Sequence, residues 1–308
     1  MGTKPWTTKE GFLIGGVLIF VGLMLELGVG PVAWKAFAWP VNGIVLAGFL
    51  AIIAVIFLLR KKVYAFRFIG TYQAAIPTLA YAVVLTIVMG LTRQTEDGTW
   101  LNSMLTFWPF VLIYVFIAVI LGLVVLQQLK MWLAAARQRV LSLFTINYSL
   151  LSHLGLFLAM TTATLGNADM QRLKMITVVG EREWRALTQE GMIRELPLTI
   201  ELKQFIMETY DDGSPKRFAS EIQIQTQSGE NIQATVDVNK PVEVDGWKIY
   251  QYGYDTQRGA MSQTSILELV SDPWLPLVYT GIYMMLAGAV CMFVFGKRRK
   301  GVRSKGEM

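Results

Sequence analysis

The sequence contains a single cysteine, Cys291, and a single histidine, His153, in 308 residues. A lone cysteine can neither build an internal disulfide framework nor cycle as a dithiol, and it cannot assemble a thiolate metal cluster. No Cys-x-x-Cys, His-Glu-x-x-His, P-loop or nucleotide-binding glycine pattern occurs. Charge is also scarce: 16% of residues are Asp, Glu, Lys or Arg, against roughly 25% in a soluble globular protein. These absences exclude a purely water-soluble fold and free-standing ATPase and redox chemistry. The one histidine lies in an apolar run away from the acidic residues, which excludes a Ser-His-Asp triad as well.

What the chain does contain is apolar sequence, 54% of its residues, gathered into long runs. A membrane-crossing helix needs about 20 mostly apolar residues, and six segments meet that length: 11–28, 42–59, 70–92, 105–127, 146–165 and 274–295. The first run continues through Gly28, Val29, Gly30 and Pro31 without a small-residue cleavage site, so it reads as a retained helix and not a leader. Between the segments the charges alternate. Lys4 and Lys9, then Arg60, Lys61, Lys62 and Arg67, then Lys130, Arg137 and Arg139, and finally the tail from Lys297 to Lys305 put 15 Lys/Arg on one side. The short loops of the other side hold only Lys35 and Arg93. The positive-inside rule then places both termini in the cytoplasm of a multi-pass protein of a bacterial inner membrane. The net charge of +6 is thus a topology signal, not a nucleic-acid footprint.

Three regions follow: a membrane domain over 1–165 with five helices, a domain over 166–273 expected outside the cytoplasm, and a final helix with a basic tail over 274–308. The middle region holds 11 Lys/Arg against 17 Asp/Glu, which gives no electrostatic reason to bind nucleic acid. Its apolar residues alternate at strand period in 217–227 and 232–238. Turn formers separate the runs at Asp211-Asp212-Gly213-Ser214-Pro215, Gly229-Glu230-Asn231 and Asp245-Gly246. The expected fold class is therefore a membrane protein of about six transmembrane α-helices, with a mainly antiparallel β domain between helices five and six.

Few residues within the apolar runs can carry chemistry. His153 falls about a third of the way along the fifth run, and ionisable groups at such depth face a site, a partner or a cavity. Two readings stand: a neutral histidine hydrogen-bonded between helices, or an axial ligand to haem iron, to which imidazole is suited. One histidine supplies one ligand, so a self-contained bis-histidine haem protein is excluded, and any six-coordinate haem needs a methionine or a second chain. Glu26, near the end of the first run, is read as an interfacial carboxylate, with a polar cavity or a pairing with Lys35 as alternatives. Trp34, Trp39, Trp100, Trp108, Trp274 and Tyr279 lie near segment ends, where aromatic rings form interfacial belts; a shelf for a flat ligand is the second reading.

The region after 195 carries a distinctive ordered series. Glu195-Leu196-Pro197-Leu198 is followed by Phe205 and Tyr210, then by Pro215-Lys216-Arg217-Phe218-Ala219-Ser220-Glu221. Val238-Asn239-Lys240-Pro241 and Gly246-Trp247-Lys248-Ile249-Tyr250-Gln251-Tyr252-Gly253-Tyr254-Asp255 come next, and Asp272-Pro273-Trp274-Leu275-Pro276-Leu277-Val278-Tyr279 leads into the last run. This series, with His153-Leu154-Gly155-Leu156 on the preceding helix, resembles the ResB family of cytochrome c biogenesis proteins, also called CcsB. The simpler members have four spans, so the segments between 70 and 127 are extra and available for partner contact.

The resemblance implies a subunit that acts with a CcsA-like haem-handling membrane protein, whose tryptophan-rich motif is absent here. It also implies an accessory part of a cytochrome c synthase, not an enzyme on its own. The cargo would be haem b, held across the membrane and presented to apocytochrome c, with His153 as one axial ligand and the partner supplying the other. Asn239, Pro241, Tyr250, Gln251 and Tyr254 read as architectural residues of the outer domain. Two other classes remain open: a membrane-anchored scaffold whose outer domain binds a protein and whose His153 is merely core, and a solute transporter, disfavoured by the lack of paired intramembrane charges and inverted repeats.

Overall fold

The computed structural model describes residues 5–95, 100–137 and 148–295. Lys4, Glu96, Asp97, Arg139, the first two residues of the fifth expected segment and the basic tail fall outside them. Six described helices are long and apolar enough to cross a membrane, and the chain is a multi-pass membrane protein. They are α1 (Thr8–Val29), α2 (Val41–Leu59), α4 (Tyr72–Leu91), α5 (Trp108–Arg137), α6 (Tyr148–Gly166) and α7 (Leu275–Phe295), with a short α3 (Tyr64–Ile69) between α2 and α4.

The fourth span departs most from expectation. Instead of ending at 127 it continues to Arg137, a helix of 30 residues, or about 45 Å at 1.5 Å per residue. Lys130 ends the apolar run but not the helix, because a lysine is a good helix former outside hydrocarbon. Nor is α5 a peripheral addition: it packs against α1, α2, α4 and α6 and is the hub of the membrane unit.

Helices in lipid gain little from burying apolar surface, so close approach through small residues holds them together. On α1 the buried residues Gly11, Gly15, Gly22 and Glu26 share one face. A Cβ on Gly22 would stand 2.6 Å from Pro109 Cα at the start of α5, and Gly15 is closed over by the Tyr81 ring of α4. The α6 and α7 pair uses the same device, since a Cβ on Gly155 would lie 2.5 Å from the Gly281 carbonyl oxygen, and Gly288 faces Ser152.

Residues Asp169–Pro273 form a second compact unit. Its strands are β1 (Gln171–Val178), β2 (Arg182–Leu187), β3 (Ile193–Thr209), β4 (Pro215–Thr226), β5 (Asn231–Asp237), β6 (Val242–Val244), β7 (Trp247–Tyr254) and β8 (Thr264–Ser271). They make one antiparallel eight-stranded sheet in the order β5-β4-β3-β2-β1-β8-β7-β6. Because β1 pairs with β8, with Gln171 opposite Ser271, the chain enters and leaves this unit at neighbouring points.

β4 and β5 are the two strands expected from alternation, and the alternation sets their inward face: Ser220, Ile222, Ile224 and Thr226 are buried while Gln225 is exposed. Left-handed backbone in these turns falls on Gly213, Gly229 and Gly246, where a side chain would be strained, and on one non-glycine, Asp245. β5 also approaches β6 and β7, so the sheet curls over a core of Leu198, Ile200, Leu202, Ile222, Ile224, Ile249, Leu267 and Leu269.

Among these apolar layers sits a buried polar knot. Ser220 donates to Ser265 Oγ at 2.7 Å, Gln251 donates to Ser265 Oγ at 2.9 Å and to the Gly253 carbonyl at 2.9 Å, and Thr177 donates to the Ser265 carbonyl at 3.0 Å. Buried polar groups satisfied in this way favour one strand register over its neighbours. Phe205 stacks on Tyr254 at 5.0 Å, and Arg217 clamps Asp237 through two hydrogen bonds of 2.8 and 2.9 Å while also reaching Glu208. Much of the series that carries the family resemblance is thus explained by packing and register.

Candidate functional site

His153 projects from the first turns of α6 and is half-buried. Its Nδ1 lies 2.6 Å from the carbonyl oxygen of Ser149, one turn earlier. Two acceptors do not approach to that distance, so Nδ1 carries the proton and donates. The neutral ring then keeps its lone pair on Nε2, which has no hydrogen-bond partner among the described residues. This is the arrangement by which proteins fix a metal-binding imidazole: one nitrogen donates to a backbone carbonyl, and the other is left as the ligand.

The only polar side chain that another described helix brings to this ring is Gln128 of α5. Its Nε2 is 3.1 Å from Ser149 Oγ and 3.5 Å from His153 Nδ1, and its Oε1 is buried without a partner. The Ser149 hydroxyl is itself 3.5 Å from Nδ1. Sequence reasoning missed both neighbours. Ser149 carries a signal in hindsight, being one helical turn from His153, whereas Gln128 lies 25 positions away and is brought near only by the packing of α5 on α6.

Among the described residues no group of three or more His, Cys, Asp and Glu side chains could hold a metal ion. His153 thus has no histidine, cysteine or carboxylate set around it among the described residues, and a second axial ligand would be a methionine or a side chain of a second chain. Neither a polar hollow on the sheet at Arg182, Glu201 and Gln223 nor a shallow groove at Leu79, Val83 and Ile87 on α4 touches His153. As one axial position in a shared site the donor set fits a haem iron; as a complete site it does not.

Glu26 is not the interfacial carboxylate expected. It is 7% exposed, and its Oε2 accepts the backbone N–H of Trp108 at 3.2 Å. A carboxylate there satisfies one of the orphan donors of the α5 N-terminus and meets the positive end of its dipole. The same corner is stapled by two of the tryptophans of the expected belt: Trp34 donates to the Leu105 carbonyl at 3.0 Å and Trp108 to the Gly30 carbonyl at 2.9 Å. Trp39 and Trp100 are exposed, as belt residues are. Trp274 packs against Gly166.

Residues 147–267 match the model of the ResB-like family. The cytochrome c biogenesis protein CcsB of Prochlorococcus marinus subsp. pastoris is 28% identical over 135 residues, a stretch that is 44% of this chain and 31% of that protein. The solved structure of the cytochrome c haem lyase CcmF aligns with a TM-score of 0.37 and 14% identity, covering 94% of this chain and 46% of the other; a TM-score of that size carries no argument about fold or activity. The matched segment, 147–267, spans His153, α6 and the strands into β8 and is similar to the ResB-like family over less than half of the chain.

Proposed function

We propose that this chain is a cytochrome c biogenesis subunit that holds haem as cargo within the membrane, with Nε2 of His153 as one axial ligand. In this reading a CcsA-like partner supplies the second ligand, and the haem is presented for covalent attachment to apocytochrome c. The observation that carries it is the state of His153. The ring nitrogen facing the helix is spent on the Ser149 carbonyl, the other has no hydrogen-bond partner among the described residues, and the residue lies in the segment that matches the family model. Apolar helices around one imidazole suit a flat, largely apolar macrocycle. The 15-to-2 distribution of Lys/Arg supports a bacterial inner-membrane setting with both termini cytoplasmic and the β unit extracytoplasmic.

A second reading, a scaffold whose β unit binds a protein partner without any haem role, is favoured by one observation. Trp184, Leu187, Met192 and Ile193 are exposed on β2, the β2–β3 turn and the start of β3 of that unit, and clustered apolar exposure outside lipid marks partner contacts. Absorption spectra decide between the two. The protein is purified in detergent with and without its CcsA-like partner, oxidised and dithionite-reduced, alongside His153→Ala. A Soret band and reduced α-band that are lost or shifted in His153→Ala are the expected result. A haem-free complex, or a spectrum indifferent to His153, gives the scaffold reading its place.

A further inference from the structure

We infer that the β2–β3 turn is a membrane-dipping tip, which sets Leu187, Met192 and Ile193 into the phospholipid headgroup layer of the membrane that the helices cross.

The register of the sheet shows at which end this turn lies. β1 begins at Gln171, β2 returns with Leu187 opposite Lys174, and Leu187 then pairs with Ile193 of β3. The residues between them, 188–192, therefore reach level with Gln171 and Arg172. That is the end at which the chain enters and leaves the unit, since Gln171 is opposite Ser271 of β8. The tethers there are short. Residues 167–170 join α6 to β1 and residues 272–274 join β8 to α7, and even fully extended they reach only about 18 and 14 Å. Trp274 packs against Gly166, so the two tethers leave the membrane helices side by side. An apolar tip at this end of the sheet is within reach of the headgroup layer, which is about 5–8 Å deep on each face of a bilayer.

The side chains of the turn are ordered as a bilayer is. At the tip Met192 and Ile193 are 63% and 68% exposed, with exposed Leu187 paired to Ile193. Trp184, with the Arg185 guanidinium 5.2 Å from its ring centre, stands three residues further back along β2, or about 10 Å. Aliphatic side chains suit the deeper level, and Trp and Arg the headgroup level. The turn is also built before it meets lipid: the Thr188 N–H donates to the Met192 carbonyl at 2.9 Å and the Met192 N–H to Thr188 Oγ1 at 3.2 Å, which lowers the cost of taking this backbone out of water.

The other turns of the same end, β4–β5 (227–230) and β6–β7 (245–246), are polar. The first of them also stops short, because Thr226 is opposite Leu198, well along β3 from Ile193. At the opposite end Tyr210, Val238 and Met261 are exposed singly, on three separate loops. A protein partner is the competing occupant of the β2–β3 turn; the place of the turn at the tethered end, and aliphatic residues at its tip with Trp and Arg behind them, favour lipid.

Fluorescence quenching tests this on the full chain. Cys291→Ser removes the native thiol, and Met192→Cys or, as a second position, Ile193→Cys carries an environment-sensitive fluorophore. Met261→Cys, exposed but at the far end of the sheet, is the reference. Each protein is placed in nanodiscs of phosphatidylethanolamine and phosphatidylglycerol, with and without a phospholipid bearing a nitroxide near its glycerol. Labels at positions 192 and 193 are expected to emit at shorter wavelength than the label at position 261, to lose intensity to the nitroxide lipid and to be protected from aqueous iodide, while the reference label shows the reverse. Tip labels that iodide quenches as readily as the reference overturn the inference and leave the patch to a protein partner. Tip labels shielded from iodide yet untouched by the nitroxide also overturn it, since another part of the chain then covers the turn. Neither reading of the result depends on haem or on His153.

Discussion

The two units of this chain are held together on different terms. In the β unit, Ile200, Leu202, Ile222, Ile224, Leu267 and Leu269 are wholly removed from solvent, and burial of apolar surface supplies the main stabilisation. In the membrane unit, equally apolar residues such as Leu58 and Leu91 are 73% and 83% exposed, because hydrocarbon is as good a neighbour to them as another helix. What distinguishes the membrane interfaces is the absence of side chains at Gly22, Gly155 and Gly281, together with a few polar contacts such as Glu26 to Trp108. Hydrophobicity locates the spans in one unit; in the other it builds the core.

The largest effect should come from making one chemical change in both units. Ile200→Ala in the β core is expected to cost about 2–5 kcal/mol, whereas Ile87→Ala on the lipid-facing side of α4, 56% exposed, should be close to neutral. Unfolding of the two variants in detergent measures both. Equal costs would mean that Ile87 is covered by protein and not by lipid.

A smaller contrast probes the small-residue contacts. Gly281→Ala places a methyl 2.6 Å from the Ala159 nitrogen and should destabilise by about 1–3 kcal/mol, while Gly48→Ala in α2, where a Cβ meets nothing within 4 Å, should be neutral or stabilising through helix propensity. Comparing the melting temperatures of the two proteins tests whether space at the α6 and α7 contact is what matters. A harmless Gly281→Ala would show that the pair can separate without loss.

The smallest effect concerns an ion pair of the β unit. The Arg217 guanidinium beside Asp237 holds its carboxyl below the ordinary aspartate value of 3.8. A depressed folded-state value means that the pair stabilises fully above that ordinary value and loses its contribution as pH falls through the lower one. Because Arg217 is 40% exposed, solvent screening keeps the effect modest. Thermal unfolding of wild-type protein and Asp237→Asn should differ at pH 7 and converge in strong acid; a gap that persists in acid would place the role of Asp237 in packing.

The sequence was legible wherever one physical effect dominates. Six apolar runs declared six helices, and the alternation in 217–227 and 232–238 declared β4 and β5 with the right inward face. It failed where two effects compete. Lys130 ended the apolar run without ending α5, and Glu26, judged an interfacial carboxylate from its place near a segment end, turned out to cap another helix. His153 stood out because an imidazole in an apolar run is costly, but its neighbour Gln128 looked like one more polar residue at the end of a span.

The linear chain by itself determined the number of spans, the strand periodicity and the singular histidine, since these follow from hydration energies and side-chain spacing, which are local. The three-dimensional packing alone decided that α5 is the hub, that β1 lies beside β8, that Glu26 meets Trp108 and that Gln128 reaches the edge of the His153 ring. Those are contacts between residues far apart in sequence, and they arise from which small residues let which helices approach and from which strand register lets Ser220, Gln251 and Ser265 find partners.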